Sequence, residues 1–428
     1  MIFIMLASLV MFVALLNYKQ GFLLYLLLQM IWFPDTQLFY IGSSSINLNF
    51  ICALYFVGLY IIKKKKLSLH NKERFPYLKP MFCIAISLIM SSITSLAGFI
   101  SEFAKASGLI IMDIIIVYLI WKVVNTKEDF AFLFKGLTVI ILFACIYIFY
   151  EKITNNNFIM NYKLSCTANS LSTYKDFQMW DARGYRCYSI FEHTICACII
   201  FALYISLTLI LLMKNRNIPF KYLALLASGL CVPAIFFTQQ RSGLFFLLIA
   251  SFAIVDLKKI KFWKLVLFAI IFAIFVFPFI SGNISLLLSM FISKYANKVS
   301  GSSVSLRLSQ LNAVFHIMLA SPLTGLGENF RKYYVSAYSA QALDFESLWF
   351  EQMAKHGVIG VTAYIVMIYY AVCKIPKKYK SKPIFFISLS YWLTYTLTST
   401  PYFRIYFLYT VIFYFIKQST VYSAKKPM

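Results

Sequence analysis

The sequence predicts an all-α, polytopic integral membrane protein: about 12–14 transmembrane helices and a large extracytoplasmic loop containing short helices. Three observations predict it. The 428-residue chain is 61% hydrophobic and only 13% charged, with a mean hydropathy of +0.77, outside the range of soluble domains. Apolar segments of about 17–25 residues, the length that crosses a hydrocarbon core, recur along the whole chain. The lysines and arginines fall in alternate short connections, the positive-inside pattern of a helical membrane protein.

Taken in order, the spans fall at 2–17, 21–34, 46–62, 81–100, 107–123, 131–150, 190–213, 219–237, 243–256, 262–281, 357–373, 383–399 and 402–416. Those at 21–34 and 243–256 are short enough to be tilted or re-entrant. Lipid offers backbone groups no hydrogen bonds, so unalternating apolar segments of this length imply helices, not a barrel. With the run Lys63–Lys66 placed inside, the inner connections hold 25 of the 40 lysines and arginines. The net charge of +25 is therefore a topology signal, and nucleic acid is not an expected partner. The first apolar stretch lacks a basic leader and a small-residue cleavage site, so it reads as a retained anchor.

Residues 1–428 thus form one membrane domain, with two long polar loops, 151–189 and 282–356, outside. The nine cysteines show no metal spacing. Cys196 and Cys198 read as core residues, while Cys166 and Cys187 both fall outside, where a disulfide is permitted. Asp113 lies within a span, where a charge costs about 2.5–3.5 kcal/mol on insertion scales. It sits near the outer end, and proton coupling there finds no second buried acid in the sequence.

The larger loop carries the densest set of landmarks. A helix over 303–320 is ended by Ser321-Pro322, and Gly325-Leu-Gly327 then allows close backbone approach. A second helical stretch, about 344–356, carries Glu346-Ser347 and runs to Gly357-x-x-Gly360. Arg307 from this loop, Arg241 from the turn Thr238–Gly243 and Arg186 from the first loop would gather at one membrane face. Guanidinium forks match phosphate oxygens, so a lipid-linked phosphate or pyrophosphate suits them; pairing with Asp176, Asp181 or Asp344 is the plain alternative. Glu346 is a candidate general base, with Glu192 and Glu351 as rivals and simple solvation as the ordinary reading. His193, at the mouth of a span, is a site candidate or a satisfied core histidine. His316, nine residues after Arg307, points away from it on a helix, and His356 suits an interfacial position.

These residues resemble the O-antigen ligase and Wzy-type polymerase superfamily of bacterial surface polysaccharide assembly. Arg186-Cys-Tyr-Ser189-Ile-Phe191-Glu-His193 is similar to its Arg-x-x-Ser-x-Phe-x-His-Pro signature, with Thr194 where proline is usual. Thr238-Gln-Gln-Arg241-Ser-Gly243 resembles its short arginine turn, and Arg307 to Gly327 its arginine, helix, proline and Gly-x-Gly. Ser347, nine residues, Gly357 and Gly360 fit the ligase spacing, but Glu346 stands where the ligase histidine would be. The polymerases often have Glu-Ser there.

The resemblance implies a polymerase acting at the periplasmic face of the bacterial inner membrane. It would transfer a growing glycan from undecaprenyl pyrophosphate to an undecaprenyl-pyrophosphate-linked repeat unit. Arg241 and Arg307, with Arg186, would hold the pyrophosphate, and Glu346 would activate the acceptor hydroxyl. His193, Gly325, Gly327 and Ser347 would contribute to substrate binding. No cofactor, nucleotide or metal is implied, and a chain-length regulator is a candidate partner beside the lipid-linked oligosaccharides and the bilayer. The competing readings are an O-antigen ligase acting on lipid A core and, in another class, a lipid-linked oligosaccharide flippase.

Overall fold

The computed structural model describes residues 2–31, 37–41, 44–63, 74–165, 185–191, 193–214, 220–253, 304–331, 345–398 and 406–424. These are almost entirely helical, as the hydropathy pattern requires. In chain order the helices are α1 (Ile2–Leu16), α2 (Tyr18–Leu28), α3 (Leu48–Lys63), α4 (Leu78–Ile93), α5 (Phe99–Val123), α6 (Lys127–Thr154) and α7 (Phe158–Ser165). They continue with α8 (Thr194–Lys214), α9 (Lys221–Phe237), α10 (Arg241–Ser251), α11 (Val304–Ala320), α12 (Leu348–Lys378), α13 (Lys382–Thr398) and α14 (Tyr406–Ala424). Among the described residues, α5, α6, α8 and α12 are long and apolar enough to cross a membrane; α1, α3, α4, α9 and α10 are shorter apolar helices. The span expected at 262–281 lies outside the described residues.

One feature departs from an all-helical reading. Strands β1 (Gln37–Ile41) and β2 (Ser44–Asn47) form an antiparallel hairpin between α2 and α3, with Phe39 opposite Ile46 and Tyr40 opposite Ser45. A connection that pairs with itself satisfies its own backbone groups.

Local chemistry sets the helix starts. Thr126 and Asp129 form a reciprocal capping box on α6: Asp129 N donates to Thr126 Oγ1 (3.2 Å), and Thr126 N donates to Asp129 Oδ2 (2.9 Å). Asp129 also pairs with Lys19 at 2.7 Å, tying α2 to the same end of the bundle. Lys63 Nζ reaches the carbonyls of Ala14 and Leu15, and Lys417 Nζ those of Trp121 and Val124. The basic ends that the charge pattern assigns to one side are thus held together. Helix α8 is central and mostly buried, and it packs on α9 and α10. Large apolar side chains such as Leu16, Ile62, Ile100 and Ile153 remain exposed on the outer helices, as a lipid-facing surface demands.

A second, smaller core lies beneath the larger loop. Ala313, Val314 and Ile317 of α11 pack with Leu326, Phe330, Phe345 and Ala354, and the Phe330 and Phe345 rings stack at 5.8 Å. The described parts of the loop therefore fold onto α12 rather than trailing from it.

Candidate functional site

The site is built around a break in α12. Gly357 has φ 58° and ψ −152°, a region open essentially only to glycine. Two helical hydrogen bonds are lost there, leaving the carbonyls of Ala354 and Lys355 and the amides of Val358 and Ile359. The loop after α11 takes all four. Val358 N donates to Pro322 O (3.0 Å) and Ile359 N to Leu323 O (3.1 Å). Leu326 N donates to Ala354 O (3.0 Å) and Gly327 N to Lys355 O (2.9 Å). Gly325 and Gly327 both have positive φ, and a Cβ on either would collide, with the Lys355–His356 backbone or with Ser95 and Glu102. The Gly-x-Gly and Gly-x-x-Gly motifs are two halves of one joint, and both loop glycines are buried in it.

A chain of charges lies along this joint. Lys355 Nζ is 2.7 Å from Glu328 Oε2 and 2.5 Å from Glu351 Oε1, and Arg331 Nη2 is 3.0 Å from Glu351 Oε2. His356 Nε2 lies 3.2 Å from Glu328 Oε1 and its Nδ1 lies 2.9 Å from Ser91 Oγ on α4. Glu102 of α5 accepts from the backbone N–H of Glu328 and of Asn329, each at 3.0 Å. Burial favours the neutral acid at Glu328, but Lys355, the His356 hydrogen bond and Lys105 outweigh it and hold the carboxyl well below its ordinary range.

His356, expected at the interface, is instead 2% exposed and joins α12 to α4. Glu328, Lys355 and Glu102 were not singled out by sequence reasoning. The i,i+4 pair Glu351 and Lys355 and the glutamate directly after Gly327 were the signals available.

Arg307 and Glu346 come together beside this joint, with Arg307 Nη2 4.0 Å from Glu346 Oε2 and both side chains partly exposed. Glu346 precedes α12 rather than sitting on it, because the helix begins at Leu348 with Ser347 in extended conformation as its cap. Its backbone N–H donates to Gln310 Oε1 (3.2 Å), three residues after Arg307 on α11, so one side chain of α11 fixes the approach of the other. Ser347 Oγ donates to Thr396 O of α13 (3.1 Å). His316 is exposed.

The Arg186–His193 segment is held separately, at the mouth of α8. Glu151, at the end of α6 and fully buried, accepts from Tyr188 N (3.0 Å), Ser189 N (2.6 Å) and Tyr185 Oη (3.3 Å). Lys152 Nζ, Asn157 Nδ2 and Lys163 Nζ donate to the carbonyls of Tyr185, Ser189 and Ile190, and Cys187 N donates to Phe237 O (3.1 Å). His193 Nδ1 accepts from Ile195 N (3.1 Å), capping α8. Burial, aided by the Arg186 charge, pushes its imidazole down to about 4, which suits an accepting nitrogen.

Gln240 Nε2 donates to Thr194 Oγ1 (2.7 Å), joining the Arg241 turn to this mouth. Arg241 opens α10, but its side chain lies outside the described residues, as do Arg183, Glu192 and Cys166. Helix α13 links the two groups: it bonds Ser347 through Thr396 and packs along α10.

Residues 226–365, about a third of the 428, match the family model for O-antigen ligase. That stretch contains the Arg241 turn, Arg307, the Gly-x-Gly loop, Glu346-Ser347 and the break in α12. A search of curated proteins returned no match. The chain is thus an almost entirely helical membrane protein with four candidate membrane spans, of which residues 226–365 are similar to the O-antigen ligase family.

Proposed function

We propose that the protein is the polymerase of a bacterial surface polysaccharide, transferring a growing glycan from undecaprenyl pyrophosphate to a lipid-linked repeat unit outside the cytoplasmic membrane. The observation that carries this reading is the Arg307–Glu346 pair, 4.0 Å apart at the head of the broken helix. A ligase of this superfamily would carry a histidine at 346; a carboxylate there suits a base that takes the acceptor hydroxyl's proton as the glycosidic bond forms.

Arg307 is the counter-charge for the leaving pyrophosphate, a permanently charged fork that stabilises the oxyanion as the sugar–oxygen bond breaks. In the unliganded pair the guanidinium occupies Glu346. A pyrophosphate that draws Arg307 to itself frees the carboxylate at the moment a hydroxyl arrives. Arg241 and Arg186, at the mouth of α8, are the further anion-binding groups in this reading, and the bond energy of the sugar pyrophosphate drives the transfer.

The test is deletion of the gene and complementation with Glu346→Gln and Arg307→Ala. Deletion is expected to leave surface lipid capped by a single repeat unit, and neither variant is expected to restore the ladder. Loss of the single repeat as well would point to a ligase or flippase, and full ladders from both variants would remove this site from consideration.

A further inference from the structure

Helix α5 widens by one π-helical turn over Ile110–Ile115, and Asp113 lies in that turn. Such widenings recur at functional sites because they redirect side chains without ending the helix. Asp113 lines a cavity of about 70 Å³ between α4, α5, α12, α13 and α14, room for a few water molecules. The far wall of the cavity is the helix break itself, through Glu328, Gln352, Lys355 and His356.

The groups facing Asp113 come from four directions. They are Tyr25 of α2, Glu328 of the loop, Lys355, His356 and Tyr364 of α12, and Tyr406 and Tyr409 of α14. Among these described groups the one permanent cation is Lys355, and two carboxylates already hold it at 2.7 and 2.5 Å. Both nitrogens of His356 are engaged, by Ser91 and Glu328. Asp113 therefore meets a like charge, Glu328, and no ion pair among the described residues. A second observation points the same way. Gln352, 3% exposed and lining this cavity, has an Oε1 with no hydrogen-bond partner. An unmet acceptor calls for a donor, which an ionised carboxylate does not supply and a protonated one does.

We propose that this cavity is a proton-binding site, in which Asp113 holds a proton and donates it, directly or through water, toward Gln352 Oε1. The site stands independently of the sugar chemistry. It has a structural consequence, because Glu328 pins the 322–331 loop to the break in α12. Loss of the proton sets two carboxylates against each other across the cavity and loosens that loop, so proton occupancy and loop docking are coupled.

Infrared spectroscopy of the full chain in lipid tests this. The carbonyl stretch of a protonated carboxyl is expected at neutral pH in the wild type and absent in Asp113→Asn. Glu328→Gln removes the like charge, so the band should be lost at a lower pH than in the wild type. Dicyclohexylcarbodiimide, which attacks protonated carboxyls in apolar surroundings, should modify the peptide carrying Asp113 and lose that product in Asp113→Asn. A wild-type spectrum with no carboxyl band removed by Asp113→Asn would overturn the proposal, and so would a band unmoved by Glu328→Gln.

Discussion

Replacing Gly357 with alanine should undock the 322–327 loop without dissolving the bundle. At φ 58° and ψ −152° a side chain costs about 1–3 kcal/mol in backbone strain. Its Cβ would lie 2.6 Å from the Leu323 carbonyl and from Pro322 O, and overpacking of that kind costs about 1–3 kcal/mol more. Relief by displacement breaks the bonds from Val358 N and Ile359 N, worth about 0.5–1.5 kcal/mol each.

The low ends of strain and overpacking sum to about 2 kcal/mol, so local opening should rise at least about thirtyfold. Hydrogen exchange of the protein in lipid nanodiscs reads this directly. The amides of Leu326, Gly327, Val358 and Ile359 should exchange faster, while those of α8 are unchanged. Gly229→Ala is the control: nothing lies within 4 Å of its Cβ position, and alanine is the better helix former by about 0.5–1 kcal/mol. Unaltered exchange across the break in Gly357→Ala would refute the reasoning.

Further outcomes follow from the buried charges. Lys355→Met leaves Glu328 and Glu351 without their shared cation and should destabilise the chain by about 3–5 kcal/mol in thermal unfolding, far more than Glu328→Gln. The carboxyl of Glu328 is held below its ordinary 4.5 in the folded state. Its contribution is thus fully present above the unfolded value and lost as pH falls through the folded one. Exchange protection at Glu328 and Asn329 should be flat from neutral pH to about 4.5 and decline below it, a decline that Glu328→Gln should lack. Glu151→Gln places an amide against one of the N–H groups of Tyr188 or Ser189, costing about 1–3 kcal/mol; maleimide should then reach Cys187, which is fully buried in the native chain.

The described apolar helices and the helix ending at Ala320 were legible because length, apolarity and a following Ser-Pro are local signals. The basic ends were legible for the same reason. The joint was not. Gly325, Gly327 and Gly357 read as three places of backbone freedom, and no periodicity tells that segments some thirty residues apart exchange four hydrogen bonds.

The start of α12 fell later than expected because Ser347 takes an extended conformation that lets Glu346 meet Gln310 and Arg307. Nor could sequence place His356 inside, since its partners Ser91 and Glu328 come from different parts of the chain. Asp113 stood out in the sequence as a charge within a span; the second acid near it, Glu328, sits in a loop and was visible only once folded.

The most direct test of the proposed function is transfer by the purified protein in liposomes containing a lipid-linked single repeat unit, with and without lipid A core. The wild type should extend the repeat unit into a ladder on undecaprenyl pyrophosphate in the absence of core. Glu346→Gln should leave the single unit unextended while retaining the fold, as shown by unchanged exchange across the α12 break. A ladder of normal length from Glu346→Gln, or transfer only when core is supplied, would contradict the proposal.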